Sequence, residues 1–147
     1  AKAAGLGCAL EPLNRFEAHL LNTVEQSVHY AKRVNDPGFG ILYDTFHANI
    51  EEKDPLAAFH TAWAKGHVNH VHISENDRGT PGKGHAKIRE TIAALKGVGY
   101  DGWLTIEAFG KALPELAAAT RVWRDFFRNP EEVYTEGYSF ISNCWEN

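Results

Sequence analysis

Glu11, Asp44, His72 and Glu107 follow one another at gaps of 33, 28 and 35 residues. No other feature constrains the fold as much, because an eight-unit βα barrel of about 250 residues averages roughly 31 residues per unit. Each of the four ends an apolar, β-branched or glycine-bounded run and precedes a polar loop. The pattern predicts four successive parallel strands, each finishing in an acidic or imidazole group. In α/β folds the carboxyl end of the strands is where chemistry is done. Three carboxylates and an imidazole gathered there would repel or titrate one another unless a divalent cation held them.

The intervening segments agree with this reading. Residues 5–12 predict a strand that stops at Glu11-Pro12, since proline has no N–H for the ladder. Leu20, Leu21, Val24, Val28, Ala31 and Val34 make one stripe and predict a helix over 17–34, ended by Asn35-Asp36-Pro37-Gly38. Residues 39–44, FGILYD, read as a strand buried on both faces. Asp54-Pro55 predicts an N-cap followed by proline at the first helical position, with Leu56, Phe59, Ala62 and Trp63 facing inward. Glu51 and Glu52 are expected to start the helix after the second strand, where negative charge is favourable. Residues 67–74 alternate, with Val68, His70, His72 and Ser74 on one face and Asn69, Val71 and Ile73 on the other. A helix over 86–97 buries Ile88, Ile92 and Leu95, and a strand over 102–107 follows. A helix over 113–127 and a last one over 131–145 complete the chain.

This order predicts an α/β fold with a parallel sheet and right-handed crossovers. The expected architecture is a (β/α)8 TIM barrel, of which residues 1–147 supply about four βα units plus a C-terminal helix. Four strands alone leave two open edges and one uncovered face, so a missing amino-terminal half or a partner chain is expected to close them. The chain contains no Met, and it reads as the carboxyl-terminal part of a longer protein.

The net charge of −4 and pI near 6.1 argue against nucleic-acid binding, and no apolar run is long enough for a membrane span. Cys8 and Cys144 read as two reduced thiols, and no secretory leader is visible, so a cytoplasmic protein is expected. His19, His29 and His60 fall within the predicted helices. Trp63, Trp103 and Trp123 are expected in the core. The segment Arg78–His85 lacks the phosphate-loop spacing and reads as a flexible rim loop, with Lys83 the candidate contact if the substrate carries phosphate. His70 shares a face with His72 and either supports it or simply packs.

The oxygen-rich donor set, with one imidazole and no thiolate, favours Mn2+, with Mg2+ or Co2+ as alternatives. The segments Glu11-Pro12-Leu13-Asn14-Arg15-Phe16-Glu17, Asp44-Thr45-Phe46-His47 through Glu52, His70-Val71-His72 with Arg78, and Asp101-Gly102 to Ile106-Glu107 resemble the ketose 3-epimerases. These are the D-tagatose and D-psicose (allulose) 3-epimerases of the xylose-isomerase-like barrel superfamily. The likeness runs from residue 5 to about 127 and corresponds to strands five to eight of those barrels. It implies that Glu11, Asp44, His72 and Glu107 hold the metal, and that Glu11 and Glu107 are also the acid/base pair. It implies that Glu17, His47 and Arg78 contact substrate hydroxyl oxygens. The implied activity is epimerisation of a ketose sugar at C3 by proton transfer through a cis-enediolate, in a protein that is a homo-oligomer at full length. An aldose–ketose or hydroxy-keto isomerase of the same superfamily, and an inert half-barrel, are the alternatives. An endonuclease on the same barrel would want more His ligands and a basic face, and neither is present.

Overall fold

A computed structural model describes all residues, 1–147. Four parallel strands, β1 (Cys8–Leu10), β2 (Phe39–Asp44), β3 (Val68–Ile73) and β4 (Leu104–Ile106), lie side by side in chain order. A short 3-10 turn, Lys2–Ala4, precedes them. The helices are α1 (Val24–Val34), α2 (Thr45–Glu51), α3 (Pro55–Ala64), α4 (Ile88–Gly97), α5 (Pro114–Ala119) and α6 (Pro130–Glu146). Asp44, His72 and Thr105 are lateral partners in the ladder, and Ile73 O accepts from Glu107 N just beyond β4. Close approach of β2 and β3 requires Gly40: a Cβ there would sit 2.6 Å from His67 O and 2.4 Å from the Asn69 side chain.

One face of the sheet carries the core. Ile41, Tyr43, Val71 and Ile73 point at Val24, Val28 and Ala31 of α1, Phe59 and Ala62 of α3, and Ile88, Ile92 and Leu95 of α4. The predicted inward set of α4 therefore holds, and that of α3 holds for Phe59 and Ala62, with Trp63 partly buried against the core and Leu56 outside it. Phe59 meets Tyr43 edge-on at 5.5 Å, and Ile141 joins the core from α6. The opposite face carries Asp44, His70, His72 and Thr105, because side chains alternate along a strand. This face has no helical layer.

Helix starts follow local chemistry. Asp54 accepts from the Leu56 and Ala57 N–H groups ahead of Pro55, as expected. Asn129 does the same for Glu132 N ahead of Pro130. Thr23 and Gln26 form a reciprocal capping box, and that box fixes where α1 begins.

Several expectations are corrected. The helix expected over 17–34 begins only at Val24. Residues 11–23 are a loop in which Leu21 has φ 59° and the Asn22 amide donates to Leu13 O and Ala18 O. His19 therefore lies outside any helix, whereas His29 and His60 lie in α1 and α3. The helix expected over 113–127 ends at Ala119: the Thr120 hydroxyl bonds Leu116 O and Arg121 turns left-handed at φ 61°. Glu51 and Glu52 finish α2, a helix that starts directly on β2, and do not open α3. Trp63 packs partly buried against Tyr100, but Trp103 and Trp123 are 82% and 68% exposed. Arg78 to Pro81 are buried rather than a flexible rim, because the buried Glu75 carboxylate accepts from the N–H groups of Asn76, Gly82 and Ala86. Lys83 already pairs with Glu132 at 2.7 Å and Glu136 at 2.8 Å, which occupies the cation offered to a phosphate.

Two substitutions separate core from surface. Ile92→Ala is expected to cost about 2–5 kcal/mol as cavity and transfer terms add. Trp103→Ala is expected to stay within about 0.5 kcal/mol. Urea denaturation of the two variants checks the contrast, and equal costs would contradict the burial pattern.

Candidate active site and metal centre

The four predicted donors meet at the carboxyl end of the sheet. His72 Nδ1 lies 3.7 Å from Glu11 Oε1, 3.5 Å from Asp44 Oδ2 and 3.4 Å from Glu107 Oε1. Asp44 divides its two oxygens. Oδ1 caps α2 by accepting from Phe46 N at 2.7 Å and His47 N at 3.1 Å, which turns Oδ2 towards the cluster. Glu11 follows β1 directly, and Glu107 is fixed by its own backbone bond to β3.

Glu11 Oε1, Asp44 Oδ2 and His72 Nδ1 are all buried and have no hydrogen-bond partner. Three unsatisfied donor atoms that converge on one point are costly unless something shared satisfies them. Their chemistry, two carboxylate oxygens and an imidazole nitrogen with Glu107 beside them, fits one divalent cation.

A second imidazole borders the same space. Donor atoms of Glu11, Asp44, His47 and Glu107 lie within 4.8 Å of one another. His47 differs from His72 in one respect: its Nδ1 accepts from the Asn14 backbone N–H at 3.0 Å. A neutral ring whose Nδ1 is an acceptor carries its proton on Nε2, and a protonated nitrogen has no lone pair for a cation. Nε2 of His47 faces Glu11 Oε1 at 3.7 Å and Arg78 Nη2 at 3.2 Å. His72 Nδ1, by contrast, has no hydrogen-bond partner and lies within 3.4–3.7 Å of all three carboxylates, so of the two imidazoles it is the one placed to exchange its proton for a cation.

Arg78 closes the other side. Its Nη1 donates to Glu107 Oε2 and, at 3.1 Å, to Ser74 Oγ, and Nη2 lies 3.6 Å from Glu17 Oε1. The guanidinium stacks 3.7 Å from the Phe46 ring centroid and 4.8 Å from that of Phe109. Arg78 has φ 65°, and its carbonyl accepts from Phe109 N. All seven residues singled out in the sequence thus surround one space. Asn14, Phe46 and Phe109 complete it and were not singled out. Asn14 and Phe46 stand inside motifs already quoted, while nothing in the pattern pointed to Phe109. His70 bonds Thr105 Oγ1 at 3.0 Å and meets the His72 ring edge-on at 5.2 Å, so it braces that ring.

The charges set the titration of the cluster. Burial, then Asp44 and Glu107, push the Glu11 carboxyl up to about 7. Burial would lower His72, but Asp44 and Glu107 outweigh it and raise the imidazole to about 10. Burial would raise Glu107, but His72 and Arg78 hold it below its usual value. Burial lowers His47. Glu11 and His72 both bind protons more tightly folded than unfolded, so their contribution to stability is lost as pH rises, Glu11 through about 7 and His72 through about 10. Below about pH 6.5 the lowered His47 and His70 act in the opposite sense, so the metal-free chain is expected to melt at progressively lower temperature from pH 7 to pH 9, where His72 alone sets the trend. Calorimetry in chelator across that window tests this, and a rising melting temperature would contradict it.

A family model described as xylose isomerase-like TIM barrel matches residues 1–144. A Synechocystis protein named "probable ketose 3-epimerase" is 40% identical over 138 residues, which is 94% of this chain and 47% of that protein. A solved L-ribulose 3-epimerase superposes with TM-score 0.92 at 33% identity, covering 99% of this chain and 49% of the other. A Clostridium cellulolyticum D-psicose 3-epimerase solved with D-tagatose superposes with TM-score 0.88 at 32% identity, covering 98% and 51%. The chain spans about half the length of the curated relatives it matches. With four parallel βα units and this match, the chain is a half-barrel belonging to the xylose isomerase-like TIM barrel family.

Proposed function

We propose that this chain, together with the remaining βα units of its barrel, is a metal-dependent ketose 3-epimerase. The observation that carries the reading is the convergence of Glu11 Oε1, Asp44 Oδ2, Glu107 Oε1 and His72 Nδ1 on one space, with the first two and the last lacking hydrogen bonds. The 3-epimerase names of its relatives support it. Glu11, Asp44, His72 and Glu107 would hold the cation, Mn2+ in preference to Mg2+ or Co2+ given three carboxylates and one imidazole. When bound, such a cation supplies electrophilic stabilisation to the oxygens of a hydroxy-ketone.

The protein's own groups handle the proton. Epimerisation at C3 takes a proton from one face of the carbon and returns one on the other, so it needs two groups of different proton affinity. Glu11 and Glu107 are shifted in opposite directions, Glu11 up to about 7 and Glu107 downward. In the metal-free cluster His72 and Arg78 hold Glu107 below its usual value while Glu11 is raised, which favours Glu11 as the proton carrier and Glu107 as the acceptor. His47 Nε2–H and Arg78 would donate to substrate oxygens, and Glu17 would accept from a hydroxyl. The reading includes an amino-terminal half that closes the barrel. The two free thiols suit a cytoplasmic setting, and exposed Leu113, Leu116, Tyr134 and Tyr138 offer apolar surface for a homo-oligomer.

In the full-length protein with Mn2+ in heavy water, a ketohexose is expected to gain deuterium at C3 and yield only its C3 epimer. Label at C1 or C2 with an aldose product would instead make it an aldose–ketose isomerase. Glu11→Gln and Glu107→Gln are each expected to lower kcat by at least about 10²–10⁴-fold, and near-normal turnover in either overturns the acid/base assignment. Asp44→Asn keeps the α2 cap through Oδ1 but replaces the Oδ2 donor. It is expected to abolish the thermal stabilisation by Mn2+ while leaving α2 intact by circular dichroism.

A further inference from the structure

The two side chains assigned to substrate hydroxyls, His47 and Glu17, lie on different elements, α2 and the loop after β1. One residue joins them. Asn14 is 1% exposed and uses every polar atom it has. Its backbone N–H donates to His47 Nδ1 at 3.0 Å. Its amide nitrogen donates to Glu17 Oε1 at 2.9 Å and lies 3.0 Å from the same His47 Nδ1. Its amide oxygen accepts from Phe16 N at 2.9 Å, and its carbonyl accepts from Glu17 N and Ala18 N at 3.0 Å.

We propose that Asn14 is a positioning residue that locks His47 and Glu17 into one hydrogen-bonded unit and keeps the His47 proton on the ring nitrogen facing the site. The assignment rests on the epimerase reading for what His47 and Glu17 do, but not for how they are held. Two N–H groups of Asn14 approach Nδ1, while one guanidinium nitrogen, Arg78 Nη2, lies 3.2 Å from Nε2; donors face both sides of the ring, and a neutral ring that keeps both Asn14 bonds carries its proton on Nε2. Without that constraint, a neutral imidazole bordered by carboxylates at Glu11 and Asp44 could present either tautomer. The Nδ1–H form would offer the site an acceptor where a sugar hydroxyl or developing oxygen charge needs a donor. The Asn14 amide oxygen fixes the turn at Phe16 in the manner of an Asx-turn. The same turn returns Glu17 to within reach of Arg78, 3.6 Å away.

Among substitutions, Asn14→Asp is the informative one. It retains the oxygen that holds Phe16 N and removes the amide donor, placing an anionic oxygen against Glu17 and His47 Nδ1. The experiment is 15N NMR of the full-length protein labelled at histidine, with His47→Gln identifying the His47 signals, at one fixed pH. Wild type is expected to show His47 as a single form, unprotonated at Nδ1 and protonated at Nε2. Asn14→Asp is expected to lose that single form, and Asn14→Gln, whose longer amide cannot hold both partners, is not expected to restore it. A wild-type His47 protonated at Nδ1 overturns the proposal, as does an Asn14→Asp spectrum identical to wild type. If Asn14→Asp fails to fold, the wild-type tautomer alone decides. Should the full-length protein lack epimerase activity while the tautomer shift appears, the functional reading falls and the role of Asn14 stands.

Discussion

Three carboxylates and an imidazole held within a few ångströms of one another are the constraint around which this half-barrel is organised. Carboxylates so close cannot all be ionised without compensation. Two sources of compensation are built in. His72 sits 3.4–3.7 Å from all three, and Arg78 pairs with Glu107. Both are positive at neutral pH, so the cluster is nearly balanced even as it stands. The balance is uneven, however. Burial, with Asp44 and Glu107 beside it, raises the proton affinity of Glu11, whereas His72 and Arg78 together lower that of Glu107. The asymmetry between the two carboxylates therefore comes from burial on one side and two cationic neighbours on the other.

The sheet makes this cluster affordable by separating tasks between its faces. Hydrophobic contacts fall on one side, where α1, α3 and α4 cover Ile41, Tyr43, Val71 and Ile73. The polar residues project from the other side and from the strand ends. Lateral register places Asp44 beside His72 without any loop having to reach. Capping then does a second job: the Asp44 oxygen that starts α2 also aims its twin at the cluster, so helix geometry and site geometry are set by one side chain. Likewise Glu75, wholly inside the protein, holds the segment that carries Arg78.

The strands, α3, α4 and α6 were legible because their signals are local. Short apolar runs, a Pro after Asp54, and 3.6-residue periodicity each depend on few neighbours. The four candidate cation donors stood out by their repeating spacing, and Glu17, His47 and Arg78 by the resemblance of their surrounding motifs to a known family; the structure brings all seven around one space. What failed had non-local or competing causes. Leu20 and Leu21 extended a helical stripe, yet Asn22 spends its amide on the loop and Thr23 caps the real start. Trp123 and Phe127 extended α5 on paper, but Thr120 and Arg121 ended it. Trp103 read as core, whereas it lies just ahead of β4 and is 82% exposed. The choice of His72 over His47 as cation donor came from the resemblance alone, and no spacing rule could supply its physical reason, which is that the Asn14 N–H occupies His47 Nδ1.

The division between the two histidines bears on what this half of a barrel specifies. Every atom of the proposed cation site comes from the ends of β1 to β4, so the donor set is complete within residues 11–107. The groups proposed to read hydroxyls, Glu17, His47 and Arg78, form a connected chain through Asn14 and Glu107 on the same side. Under the proposed function, cation and substrate would be addressed by one chain of contacts whose members are mutually fixed. The helix-free face adds Leu42, His70 and Thr105 beside that cluster, so under the same reading the walls around a substrate's distal hydroxyls would come largely from the other half of the barrel. Chemistry and selectivity would then reside in different halves of the barrel.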